Sequence, residues 1–197
     1  MEESLLSKLH GRKGHFQLES GHHGDLWFQL ETLCLQSRSI QNFAAELAKK
    51  LAKHDVEVVC GPLVEGAFVA LLISVELNCD FTYSERFTHP KREGLFPVEY
   101  YLPKVLEPAV RGKRVAIVND VINAGSAVRG AYFDLKAKGA NIVAIGALLA
   151  LGEAITAFSA EHRVPLELLE QAPNNLWMPS QCPLCAGGVP LEIVGTS

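Results

Sequence analysis

The chain has 197 residues, 48% of them hydrophobic and 20% charged, enough to bury the core of one generous domain and too apolar for a disordered chain. Its net charge of −4 leaves no basic excess to neutralise phosphates, which argues against nucleic acid as a partner. The longest apolar run, Ile142 to Leu151, is too short to span a bilayer, and the acidic start Met1-Glu2-Glu3 precedes no signal-like core. Five cysteines make an odd count, and Cys34, Cys60 and Cys79 lie inside apolar segments. Those facts predict a cytoplasmic protein without a disulfide framework or a membrane partner.

In chain order, a short helix is expected over Glu3 to Leu9, then two strands within residues 14–30 around the glycine-bounded turn Ser20 to Gly24. From Ser39 to Lys53 the apolar residues Ile40, Phe43, Ala44, Leu47, Ala48 and Leu51 recur at helical spacing. Val56 to Cys60 reads as a strand, Gly61-Pro62 as a break, Gly66 to Leu77 as a small-residue helix and Phe81 to Ser84 as a strand. Glu85 to Glu99 is charged and broken by Pro90, Gly94 and Pro97, so a mobile loop is expected there. Arg114 to Val118 and Ile142 to Leu149 are buried strands, with helices over Ser126 to Lys138 and Glu153 to His162 and a last strand over Leu166 to Leu169. Apolar strands alternating with helices predict an α/β fold: a mostly parallel sheet with helices on both faces. One domain spans 1–197, its core in 36–170, with 1–35 and the tail 171–197 forming a small hood.

The segment Val115 to Ala127 carries the chemistry. A hydrophobic strand ends on Asn119 and Asp120, and the turn Asn123-Ala124-Gly125-Ser126-Ala127 opens a helix. Ligands bind at the carboxyl ends of strands in open α/β sheets, and backbone N–H groups at a helix start hold anions. Taken alone, the same residues also suit an ordinary strand-turn-helix with Asp120 starting the turn. There is no G-x-x-x-x-G-K-[ST] run and no G-x-G-x-x-G after a strand.

The segment resembles the phosphoribosyl-pyrophosphate (PRPP) motif of type I phosphoribosyltransferases. Gly14 to His23 is similar to the N-terminal signature of their orotate branch. Cys60-Gly61-Pro62 resembles its first phosphate-contacting loop, Glu85-Arg86 the acid–arginine pair opening its mobile loop, and Pro179 to Leu191 a C-terminus found in one group of these enzymes. These matches follow the family's order over nearly the whole chain.

The resemblance implies Mg²⁺-dependent transfer of 5-phosphoribose from PRPP to a nucleobase, most simply orotate, in pyrimidine nucleotide synthesis, by a homodimer. It implies that Asn123, Ala124, Gly125, Ser126 and Ala127 hold the 5-phosphate, with Asn119 and Asp120 at the ribose. Arg86, Lys91, Arg92 and His23 (or His22) would face the pyrophosphate, with Asp120, Lys91 and Arg92 catalytic, and Phe16 and Leu151 beside the base. Three departures stand out. Asn119 replaces an acid, Asn123-Ala124 replaces a pair of hydroxyl residues, and Leu151 stands where the orotate branch carries an arginine. A regulatory module that binds PRPP or a nucleotide without turnover, and an enzyme for another base, are therefore the alternatives.

Cys182-x-x-Cys185 is half of a zinc site with no second pair after it, so no metal is expected there. Trp177 is expected to anchor the tail.

Overall fold

The computed structural model describes residues 5–29, 34–35, 37–88 and 94–194. The chain opens with helix α1 (Leu5–Lys8), strands β1 (His10–Gln17) and β2 (His23–Gln29) and helix α2 (Ser37–Leu51). It continues through β3 (Val58–Pro62), α3 (Glu65–Leu77), β4 (Asp80–Thr88), β5 (Val98–Tyr101) and α4 (Glu107–Val110). Next come β6 (Arg114–Ile122), α5 (Ser126–Ala137), β7 (Asn141–Leu151), α6 (Ala154–His162) and β8 (Leu166–Ala172). The tail adds β9 (Leu176–Trp177), α7 (Pro183–Ala186) and β10 (Glu192–Ile193).

The main sheet runs β5-β4-β3-β6-β7-β8, parallel throughout except for the antiparallel edge pair β4–β5. Its central strands read as unbroken apolar runs because both faces are covered. In β6, Val115 and Ile117 enter one core cluster with Val128, Leu135 and Phe158 of α5 and α6, whereas Ala116 and Val118 enter the other with Leu47 of α2 and Ile73 of α3. Cys60 is fully buried in β3, and burial, with a smaller contribution from Asp134, pushes its thiol up to about 12. That thiol is packing material. In the second cluster Phe158 lies edge-on to Tyr132, 5.3 Å between ring centroids, while the Arg129 guanidinium sits 4.7 Å from its ring.

The second sheet, β10-β1-β2-β9, joins the two ends of the chain: β1 and β2 form an antiparallel hairpin, and the tail adds a two-residue strand to each side. Among the described residues no helix is long and apolar enough to cross a membrane.

The segment Glu85 to Glu99 differs from its expected loop. Glu85 to Thr88 extend β4 and pair with Val98 to Tyr101, with Phe87 and Tyr101 in edge contact at 6.2 Å. Charged residues obscure an edge strand because its outer side faces water, so alternation survives only in Phe87, Val98 and Tyr100. Lys91 and Arg92, expected to be catalytic, lie outside the described residues.

Candidate active site

Going from β3 to β4 the chain steps one way across the sheet, and from β6 to β7 to β8 it steps the other way. The carboxyl ends of β3 and β6 thus flank the point where the winding reverses, the place where open α/β sheets leave a crevice. A cleft of ≈ 210 Å³ opens there. Residues 62–66 form one wall and 119–128 another, Leu18 to Ser20 of the hood close it from above, and Leu151 lies at the end of β7.

Gly125 turns the chain from β6 into α5 with φ 84°, in the left-handed region that glycine enters without strain, and it offers no capping side chain. The first N–H groups of α5 have no intrahelical acceptor, so they remain as donors beside the cleft, backed by the positive end of the helix dipole. Asp120 is 5% exposed at the end of β6 and lines the same cleft. The sequence-predicted residues Asn119, Asp120, Asn123, Ala124, Gly125, Ser126, Ala127 and Leu151 are all brought together there.

Asn119 is tied to its own strand: its Nδ2 donates to the Val121 carbonyl at 2.9 Å, and its Oδ1 lies against Gly66 in the first turn of α3. A Cβ on Gly66 would overlap that oxygen and stand 3.0 Å from Pro62 Cδ. Gly66→Ala is therefore expected to destabilise the protein by about 1–3 kcal/mol through overpacking. Urea unfolding measures this as a lower midpoint at unchanged slope.

Three predicted residues lie elsewhere. His23 is buried within the hood against His15, because the β1–β2 register turns it away from the cleft. Phe16, expected beside the base, is 2% exposed and packs with Leu18 and Val194. Arg86 donates from Nε to Glu19 at 2.9 Å. Glu19 also accepts from the Tyr100 hydroxyl at 3.0 Å, and burial, with the Glu19 charge adding to it, drives the Tyr100 phenol upward. His22 hydrogen-bonds Ser20 through Nδ1 at 3.0 Å; burial lowers its pKa, with smaller contributions from Arg129 and His23.

Sequence reasoning overlooked Glu19, Tyr100 and Glu65. Glu19 sits within the N-terminal signature, yet its neighbours reveal themselves only after β4 and β5 pair. The cleft is therefore acidic: Glu19, Glu65 and Asp120 line it, and no lysine or arginine does among the described residues.

Over 186 aligned residues the chain is 31% identical to the orotate phosphoribosyltransferase of Thermotoga maritima, covering 93% of this chain and 91% of that relative. The chain belongs to the orotate phosphoribosyltransferase family. No family model matches it. Its fold recurs in the orotate phosphoribosyltransferase of Aeropyrum pernix, with a TM-score of 0.59 at 21% identity over 82% of this chain and 87% of that one. It recurs also in the adenine phosphoribosyltransferase of Trypanosoma brucei, solved with AMP, pyrophosphate and ribose-5-phosphate, with a TM-score of 0.65 at 14% identity over 84% and 76% of the two chains. In this member of the orotate phosphoribosyltransferase family, Leu151 gives the cleft an apolar wall, 2% exposed.

Proposed function

We propose that the chain transfers 5-phosphoribose from PRPP to orotate, giving orotidine 5′-phosphate and pyrophosphate. The observation that carries this reading is the cleft at the β3/β6 reversal, where Asp120 meets the uncapped start of α5. The backbone donors of 123–127 suit a dianionic 5-phosphate without any basic side chain. Asp120 accepts hydrogen bonds from the ribose hydroxyls and faces the positive charge that grows on the sugar as the C1–pyrophosphate bond breaks. Residues 62–66 face the departing pyrophosphate from the other wall.

The donor set suits magnesium. The cleft offers the oxygens of Asp120, Glu65 and Asn119 and no nitrogen or sulfur ligand among its described lining residues. Magnesium takes one or two carboxylates and completes its shell with water and substrate phosphate. Asp120 and Glu65 would hold it, and when bound it supplies the positive charge that a pyrophosphate leaving group needs. Lys91 and Arg92, which lie between β4 and β5 in the sequence, remain candidates for the same task.

The reading includes a cytoplasmic homodimer. Phe68, Leu71 and Val75 are 47%, 47% and 71% exposed on α3, an apolar face that begins beside the cleft wall and suits a second copy. Leu151 favours a second reading, an acceptor base without a carboxylate, because a leucine makes no charge-assisted contact.

Pyrophosphate release from PRPP and Mg²⁺ with orotate, uracil, adenine and hypoxanthine separates the readings. Turnover with orotate is the expected result, and turnover with another base alone assigns the second reading. PRPP binding without turnover on any base overturns both.

A further inference from the structure

We propose that His15, His23, Cys182 and Cys185 form a structural zinc site that pins the tail to the N-terminal hairpin. One ligand atom from each lies within 4.8 Å of every other. His15 Nε2 is 3.1 Å from His23 Nδ1, 3.3 Å from Cys182 Sγ and 3.6 Å from Cys185 Sγ, and His23 Nδ1 is 3.3 Å from Cys185 Sγ. A tetrahedral zinc with ordinary bond lengths sets its ligands about 3.3 Å apart between nitrogens and about 3.6 Å between nitrogen and sulfur. Those four of the six separations lie within about 0.3 Å of the values for such a tetrahedron.

The protonation pattern points the same way. His15 Nδ1 lies 2.8 Å from the Val189 carbonyl oxygen, which can only accept, so Nδ1 carries the proton and Nε2 presents a lone pair. Three groups converge on that single lone pair, which can accept one hydrogen. A cation at their centre satisfies all four groups at once. The bond to Val189 is also the outer contact that fixes a ligating imidazole's tautomer and orientation.

The charge balances too. Two thiolates and two neutral imidazoles around Zn²⁺ sum to zero, and three of the four residues are buried, where an unbalanced charge is expensive. Four protein ligands leave no open position, so the site is structural. The proposal departs from the expectation that Cys182 and Cys185 bind no metal. The missing half of the motif lies some 160 residues upstream, on two strands whose pairing of Gln17 with His23 puts His15 diagonally across from His23.

The test uses the full-length chain without an affinity tag, purified without chelator and analysed for metal. The expected content is about one zinc per chain, and about none in Cys182→Ser/Cys185→Ser. Co²⁺ added to metal-stripped protein is expected to give intense tetrahedral ligand-field bands and a thiolate charge-transfer band, with the latter lost in the double variant. His23→Gln should lower cobalt affinity while keeping the charge-transfer band. Chelation should lower the melting temperature of the parent chain and leave the double variant's unchanged. Folded parent protein that takes up neither Zn²⁺ nor Co²⁺ overturns the proposal, as does a native mass two hydrogens short from a Cys182–Cys185 disulfide. None of these readings depends on which base the cleft accepts.

Discussion

Asp120→Ala is expected to lower turnover by about 10²–10³-fold, the usual loss when one electrostatic contact to a developing charge is removed. The side chain is 5% exposed, so its carboxylate acts where water screens it poorly. A charge that opposes the growing cation matters more in the transition state than in bound PRPP. The loss should therefore fall mainly on kcat, with KM for PRPP much less affected. Asp120→Asn retains the shape and one acceptor but not the charge, and should fall between the parent and the alanine variant. Steady-state kinetics on variants with parent-like circular dichroism measure this, and undiminished turnover in Asp120→Ala would remove the residue from the mechanism.

Phe158→Ala is expected to destabilise the protein by about 3–5 kcal/mol, the range for deleting a buried phenylalanine ring. Phe158 is 2% exposed and makes edge contacts with Tyr132 and His162. Arg129 lies between two rings, 4.7 Å from Phe158 and 4.9 Å from Phe96, so the deletion also removes one side of a cation–π clamp. Arg129 belongs to the first turn of α5, and Gly125 lies directly beneath its aliphatic stem. Loosening the clamp should thus reach the turn 123–127 before the protein unfolds. Phe158→Leu keeps most of the volume and should lose less than about 1.5 kcal/mol. Equilibrium urea unfolding of the two variants gives the comparison; equal stabilities would show that the pocket collapses around the smaller side chain.

The strand-turn-helix from Val115 onward was legible in the sequence because local signals agreed. An apolar run, two polar residues, a glycine and a helical repeat lie within some two dozen positions, and the fold needed no distant partner to make sense of them. The turn 123–127 and the place of Asp120 at the strand end followed from that stretch. Glu19, Tyr100 and Arg86 were not legible as a group, because a carboxylate on the hood meets a phenol and a guanidinium on the main sheet only after two sheets dock. His23 looked like a ligand-facing residue in a glycine-bounded turn. Its actual direction depends on strand register, in which a shift of one residue reverses every side chain. The helix α2 and strands β6 and β7 matched their patterns, whereas β5 and the end of β4 did not, since edge strands tolerate charge where central ones cannot.

The hood has a consequence for the order in which the molecule is made. Phe16 pairs with Glu192 and Gln17 with Ile193, and the Val194 amide donates to the Gln17 carbonyl at 3.2 Å. Val194 itself lines the cleft. A chain emerging from the ribosome can assemble the main sheet and the turn 123–127 while the N-terminal hairpin still waits for its neighbouring strands. Only when residues 192–194 are free can the last wall close. Substrate recognition is thereby deferred until those residues have been made, and a chain cut short after β8 would carry a folded core with an open, unroofed cleft.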